Sequence, residues 1–234
     1  MKILLGDTCL KTASAAIADR NKLVAYMQSE GEEPHSVMFP KLVAQVMATS
    51  RTKYSDIDWI VCVNGPGSFT GVRIGLTFLK TLAYTLNKPF YTLNTLDVLA
   101  NSQQAKRDIL SIPLIEARNS EVYTAMYRKE SGVYKKISPY VAMHIDDVLK
   151  NTLLLCKKEP DLKVMLSGDA QQKYIDIFEK ALEDKVIAYS EQRSSVDLCM
   201  AIQLISEQEQ TDPITALPFY LRESGAVRMK KQAK

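Results

Sequence analysis

Cysteine is scarce and scattered: Cys9, Cys62, Cys156 and Cys199 stand far apart with no C-x-x-C pair, which excludes a zinc knuckle and a thioredoxin-type motif. Histidine is scarcer still. His35 and His144 are the only two, and neither belongs to an H-E-x-x-H helix, so a zinc-peptidase site has no ligand set. No apolar run approaches the roughly 20 residues needed to cross a bilayer. The opening MKILL leads straight from a strand pattern into a turn and is too short for a signal-peptide core, so the expected address is the cytoplasm. An excess of one charge is also missing from the body. The net +3 resides in the tail RMKKQAK (residues 228–234), which has four positive charges and no negative one; the other 227 residues hold 26 positive against 27 negative charges. A folded surface dominated by a phosphate-binding basic face is thereby excluded. The tail reads as a solvated terminus, with a flexible nucleic-acid contact as its alternative.

What is present is an ordinary globular balance: 234 residues, 46% hydrophobic and 24% charged, enough for a substantial core and for one large domain or two small ones. Apolar runs at 2–6, 13–18 and 23–26, the last two separated by the hairpin-like DRNK, read as three strands. A helix follows over 37–50, its Phe39, Leu42, Val43, Val46 and Met47 spaced as one buried face. Then come a buried strand at 57–63, a glycine-rich turn, a long helix at 70–87, a strand at 90–93 and a helix from 95 to about 102. The polar NSQQAKRD (101–108) is the best domain boundary, dividing the chain into 1–104 and 105–234. Beyond it the rhythm restarts, with strands at 109–116, 121–127 and 134–140, a helix at 145–153, a strand at 163–166, and helices at 172–182 and 194–206. Two tandem copies of one β-β-β-α-β-α theme predict an α/β fold of two lobes, each a mixed sheet covered by helices, with the last segment free to pack back on the first lobe.

The most informative run is NGPGSFTGVRIG (64–75), joining a buried strand to the long helix. Gly65, Pro66 and Gly67 shape a tight turn, and Ser68 or Thr70 is placed to cap the helix. The run is neither a P-loop, which requires Lys-Ser/Thr after the glycines, nor a G-x-G-x-x-G fingerprint. Within the helix, Val72, Leu76, Leu79, Ala83 and Leu86 form a core stripe. Gly71, Ile74, Gly75, Phe78 and Leu82 form a second face, where two glycines one turn apart leave room for close approach by another helix, of this lobe, the other lobe or another chain.

The run GPGSFTGVRIG resembles the signature of the TsaB (YeaZ) family, non-catalytic partners in making threonylcarbamoyladenosine on tRNA. ILLGDT (3–8), EPHS (33–36), EARNSEVY (116–123) and PFYLR (218–222) resemble other segments of that family in order and spacing, with Glu116 standing where the family usually has Asp. The resemblance implies the actin-like ATPase fold, two RNase H-like lobes with mixed five-stranded sheets. It implies a cytoplasmic bacterial protein that pairs with a TsaD-type catalytic subunit for threonylcarbamoyl transfer to adenosine 37 of ANN-decoding tRNAs. It further implies a TsaE-type ATPase in the larger complex, contact with tRNA through that complex, and no membrane. The implied partner face is Thr70, Gly71, Ile74, Gly75, Phe78 and Leu82, beside the motif turn Gly65, Pro66, Gly67, Ser68 and Arg73, with self-association through the same face when the partner is missing.

Catalysis by the chain itself is not expected. The resemblance implies a catalytic relative that holds a metal through H-x-x-x-H, whereas here Phe39 stands four residues after His35. Actin-like kinases resemble D-x-G-T in their first turn, where glycine lets the backbone wrap phosphates; this chain has DTCLKT. Asp7 and Thr8, with Asp169 after Ser167-Gly168, are the candidate cofactor residues, and a paired-carboxylate magnesium site on Asp7 and Asp169 is the enzyme alternative: a small ATP-dependent kinase or transferase with its site between the lobes. Otherwise no intrinsic cofactor is implied, with ATP or ADP and magnesium confined to the partner interface. Ser68 lacks a His/Asp pair at recognisable spacing for a nucleophile. A glycoprotease-like metallopeptidase is the least favoured reading.

Overall fold

The computed structural model describes residues 1–29, 33–102, 109–130, 132–186, 197–205 and 208–222. The 104/105 boundary, the start of the helix expected from 194 and the basic tail lie outside the described residues.

The first half builds β1 (Lys2–Asp7), β2 (Ser14–Asp19), β3 (Lys22–Gln28), α1 (His35–Thr49), β4 (Ile57–Val63), α2 (Phe69–Leu86), β5 (Phe90–Leu93) and α3 (Thr95–Asn101). Its five strands lie in the order β3-β2-β1-β4-β5. The hairpin strands pair antiparallel, and β1, β4 and β5 run parallel. Parallel neighbours need a crossover, which α1 and α2 supply. Phe39, Leu42, Val43, Val46 and Met47 are the buried face of α1, as their spacing predicts.

The second half repeats the plan with β6 (Ile109–Glu116), β7 (Glu121–Thr124), β8 (Tyr127–Glu130), β9 (Val133–Lys136), β10 (Val141–His144), α4 (Ile145–Lys158), β11 (Lys163–Ser167), α5 (Gln171–Leu182) and α6 (Leu198–Ile205). Here the strand expected over 121–127 continues as β7 and β8, and that expected over 134–140 breaks into β9 and β10. Pro139 cannot donate to a ladder, and the Ser138 hydroxyl accepts from Met126 N at 2.8 Å, so 137–140 leaves the sheet. The six strands follow β10-β7-β6-β8-β9, with β11 parallel to β6 on its other side. A bridge from Val164 to Val186 stands where β5 stands in the first sheet. With β7/β8 and β9/β10 counted as two broken strands, both sheets have the 3-2-1-4-5 order of an RNase H-like lobe.

Three apolar clusters set the layers. One packs β1 and β4 against α1 and α2, through Leu4, Ile60, Phe39 and Leu79. Another packs the second sheet against α4 and α5, through Ile112, Leu114, Val148 and Phe178. The third lies between the sheets and joins Ile3, Leu5 and Val61 to Leu96, Leu99, Ile202, Tyr127 and Tyr134. α3 contacts β6 and β9 of the second sheet, while α6, late in the chain, returns to β1, β2 and β5 of the first. The final segment continues across the first half: Thr211 pairs with Phe90 at the edge of β5, and Lys80 Nζ donates to the carbonyls of Ile214 and Ala216.

Candidate functional site

The turn after β1 is folded inward. Thr8, Cys9 and Leu10 are buried, and Asp7 ends the strand directly opposite Ser14. Asp7 Oδ1 accepts from Cys9 N at 2.9 Å, while Oδ2 is buried without a hydrogen-bond partner. Burial therefore pushes the Asp7 carboxyl up to about 6, against the opposing pull of the Cys9 N–H and of His35. Burial raises the Cys9 and Cys62 thiols well above their usual range, and both sulfurs donate to Val63 O at 3.3 Å.

This turn rests on the glycine motif. Ser68 caps α2 by accepting from Gly71 N at 3.2 Å, and Ser68 N donates to Cys9 O at 2.7 Å. Thr8 Oγ1 donates to Gly71 O at 2.7 Å and accepts from Gly75 N at 3.0 Å. A Cβ on Gly71 would stand 2.1 Å from Thr8 O, and one on Gly75 would stand 2.3 Å from Thr8 Oγ1. The expectation that Gly71 and Gly75 open a groove for a partner helix is corrected here: both are buried, and the chain's own first turn fills the space they leave.

The outer face of α2 lies elsewhere. Thr70, Arg73, Ile74, Thr77 and Phe78 line an open groove of about 510 Å³ with Phe69 and with Ser36 and Pro40 of α1. Phe78 packs edge-on against Phe39 at 5.5 Å, so the groove floor continues into the core. Leu82 packs against that same core. Pro40 lacks an N–H, so the Ser36 carbonyl receives no i+4 donor from its own helix. One end of the groove is closed by an aromatic clamp. The Arg73 guanidinium sits 3.7 Å from the Phe69 ring centre, its Nε donates to Tyr220 Oη at 2.7 Å, and the Phe69 and Tyr220 rings stack at 5.2 Å.

Gly65 takes φ +111°, and its peptide bond to Pro66 is cis. Its neighbour Asn64 accepts from Phe219 N at 2.8 Å, so the PFYLR segment lies along the motif turn. Arg222, ending that segment, ion-pairs with Glu121 of the EARNSEVY hairpin. Two short motifs from distant parts of the chain thus close on one another. A second link between the halves is Asp97 of α3, whose carboxylate accepts from Tyr127 Oη at 2.8 Å and Tyr140 Oη at 2.7 Å. Burial and the Asp97 charge together raise both phenols above their usual range. Asn101 adds two bonds to the backbone of Tyr134.

Asp169 is engaged in the second half: its Oδ1 accepts from Glu116 N at 2.9 Å, and burial raises its carboxyl. Glu116 pairs instead with Lys173 at 2.7 Å, which lowers its own carboxyl. Asp7 is held by its own turn and Asp169 by the amide at the end of β6, so the two carboxylates share no hydrogen-bond partner. His35 opens α1 and contacts Lys11 O at 3.0 Å, and His144 caps α4. Among the described residues no three His, Cys, Asp or Glu side chains are grouped to hold a metal. A phosphate hairpin needs an accessible backbone. Here Thr8 and Cys9 face the glycine motif and Leu10 is buried, so these residues do not fit a nucleotide phosphate.

A family model described as TsaD, tRNA N6-adenosine threonylcarbamoyltransferase, matches residues 29–228. The tRNA threonylcarbamoyladenosine biosynthesis protein TsaB of Bacillus subtilis (strain 168) is 30% identical over 223 residues, 95% of this chain and 94% of that protein. This chain belongs to the TsaB family. The TsaB protein of Escherichia coli (strain K12) is 33% identical over 136 residues, 57% of this chain and 58% of its own. The solved structure of YeaZ from Pseudomonas aeruginosa has the same fold, with a TM-score of 0.69 at 19% identity over 94% of this chain and 99% of that one. The architecture of two helix-flanked sheets is thus that of YeaZ, and membership of the family places the chain in tRNA threonylcarbamoyladenosine biosynthesis. No helix among the described residues is long and apolar enough to cross a membrane.

Proposed function

We propose that this chain is a non-catalytic scaffold and activator subunit that dimerises with a TsaD-type catalytic protein, for threonylcarbamoyl transfer to adenosine 37 of ANN-decoding tRNAs. The observation that carries the reading is the open groove on the outer face of α1 and α2. Half-buried Ile74 and Phe78, exposed Phe69 and the Ser36 carbonyl, which has no i+4 donor, offer apolar and polar contacts to a helix. The partner face is then Thr70, Ile74 and Phe78 with Phe69, Arg73, Thr77 and Pro40, while Gly71 and Gly75 act behind it. A second copy uses the same face when the catalytic subunit is missing, a TsaE-type ATPase joins the larger assembly, and tRNA is bound by the assembly as a whole. The closed first turn supports a chain with no nucleotide of its own, so that ATP or ADP with magnesium belongs to the partner interface.

Titration calorimetry tests both halves. The wild type is expected to bind the TsaD-type subunit and Ile74→Asp to lose that binding, while magnesium-ATP gives no heat with the isolated chain. Submillimolar ATP binding abolished by Asp7→Ala would establish the kinase or transferase reading instead.

A further inference from the structure

We propose that the Thr8 hydroxyl is a positioning device for the partner-facing helix, a role resting on the docking function just described. Gly71 O and Gly75 N are the acceptor and donor of one i→i+4 rung of α2, and Thr8 Oγ1 bonds to both, at 2.7 Å and 3.0 Å. A hydroxyl placed on a helical ladder fixes the helix at that rung, and insertion there is a recognised origin of local bending. Nothing else of Thr8 is available to a ligand: the residue is fully buried, and its carbonyl lies against Gly71.

The same rung determines what the groove presents. Thr70, Ile74 and Thr77 line the groove from the turns that contain Gly71 and Gly75. Any shift or rotation of the helix on Thr8 carries these groove residues with it. The seat is tied down from outside the helix as well: Cys9 O is bonded by Ser68 N, and His35, at the start of the other groove helix, contacts Lys11 O. One short turn therefore registers both helices of the docking face. The turn at the end of β1 sets the shape of a protein interface.

Valine is the discriminating substitution because it keeps the volume of threonine and replaces the hydroxyl with a methyl. A methyl carbon needs about 3.3 Å or more from a carbonyl oxygen, but the space to Gly71 O is 2.7 Å. Thr8→Val therefore both loses the rung contact and pushes the first turns of α2 outward. Serine retains the hydroxyl.

The test uses the full chain, with amide hydrogen exchange at Gly75 and Ile74 and binding to the TsaD-type subunit. Thr8→Val is expected to speed exchange at both amides by about tenfold and to weaken binding by about tenfold, with Thr8→Ser within twofold of the wild type in both. Should the valine variant not fold, Thr8→Ala, which only removes atoms, carries the same measurements and the same expectation. Wild-type exchange in the valine or alanine variant overturns the proposal, as does wild-type binding by it when Ile74→Asp abolishes binding. If Ile74→Asp leaves the complex intact, the docking reading fails, and exchange at Gly75 alone decides the positioning role.

Discussion

Thr8 Oγ1 accepts a hydrogen bond from the Gly75 amide at 3.0 Å, in a space where a Cβ on residue 75 would approach that oxygen to 2.3 Å. The glycine is therefore required by contact within the chain. Gly75→Ala is expected to destabilise the fold by about 2 kcal/mol, the usual cost of overpacking a filled site, measurable as a lower urea midpoint. Combining it with Thr8→Ala, which vacates the oxygen, is expected to recover about half of that loss. An undiminished loss in the double variant would mean that the strain arises elsewhere.

Asp7 gives the fold a pH signature. Its carboxyl titrates near 6 when folded, against 3.8 for the ordinary side chain. Its favourable contribution is complete below pH 3.8 and disappears as the pH rises through about 6, because the ionised form is buried with one oxygen unpaired. Asp7→Asn removes this dependence. Between pH 4 and pH 8 the stability of the variant relative to wild type is expected to improve by on the order of 3 kcal/mol. Denaturant titrations at the two pH values check this, and parallel curves for the two proteins would refute it.

The link between the halves depends on Asp97. Tyr127→Phe and Tyr140→Phe each remove a charge-assisted bond from its carboxylate, costing about 1.5–3 kcal/mol apiece. Removing both leaves a partly buried carboxylate without its phenols, so the double variant is expected to lose about 1 kcal/mol more than the two singles combined. A double-mutant cycle in urea supplies the comparison.

Arg73 clamps the end of the groove through its plane, lying on Phe69 while bonded to Tyr220. Arg73→Lys keeps the charge and loses the plane. Both Arg73→Lys and Arg73→Ala are expected to bind the TsaD-type subunit about tenfold more weakly, with stability changed by less than about 0.5 kcal/mol. Full binding by the lysine variant would reduce the clamp to a charge effect.

Local periodicity carried most of the architecture. The apolar run that marks β4 and the spacing that marks α1 in the sequence reappear as the buried Ile60–Val63 and as the buried face of Phe39, Leu42, Val43, Val46 and Met47. The duplicated strand-helix rhythm reappears as two sheets of one order. Periodicity also showed that α2 has two sheltered faces. It could not say what covers the second, because Thr8 reaches Gly71 from 63 residues away. The Glu121–Arg222 pair and the two tyrosines on Asp97 were hidden for the same reason: each depends on how the halves meet, and each partner looks like an ordinary polar residue alone. The break at 137–140 did have a local sign in Pro139.

The docking role itself is tested most directly by a threonylcarbamoylation assay on tRNA, with the TsaD-type subunit and the rest of its pathway present. Adding the wild-type chain is expected to raise modification at least about tenfold. Ile74→Asp, folded as wild type, is expected to give no increase, and Asp7→Asn to give the full one. Modification restored by Ile74→Asp, or lost with Asp7→Asn while the complex still forms, would contradict a subunit that acts through its outer helix face.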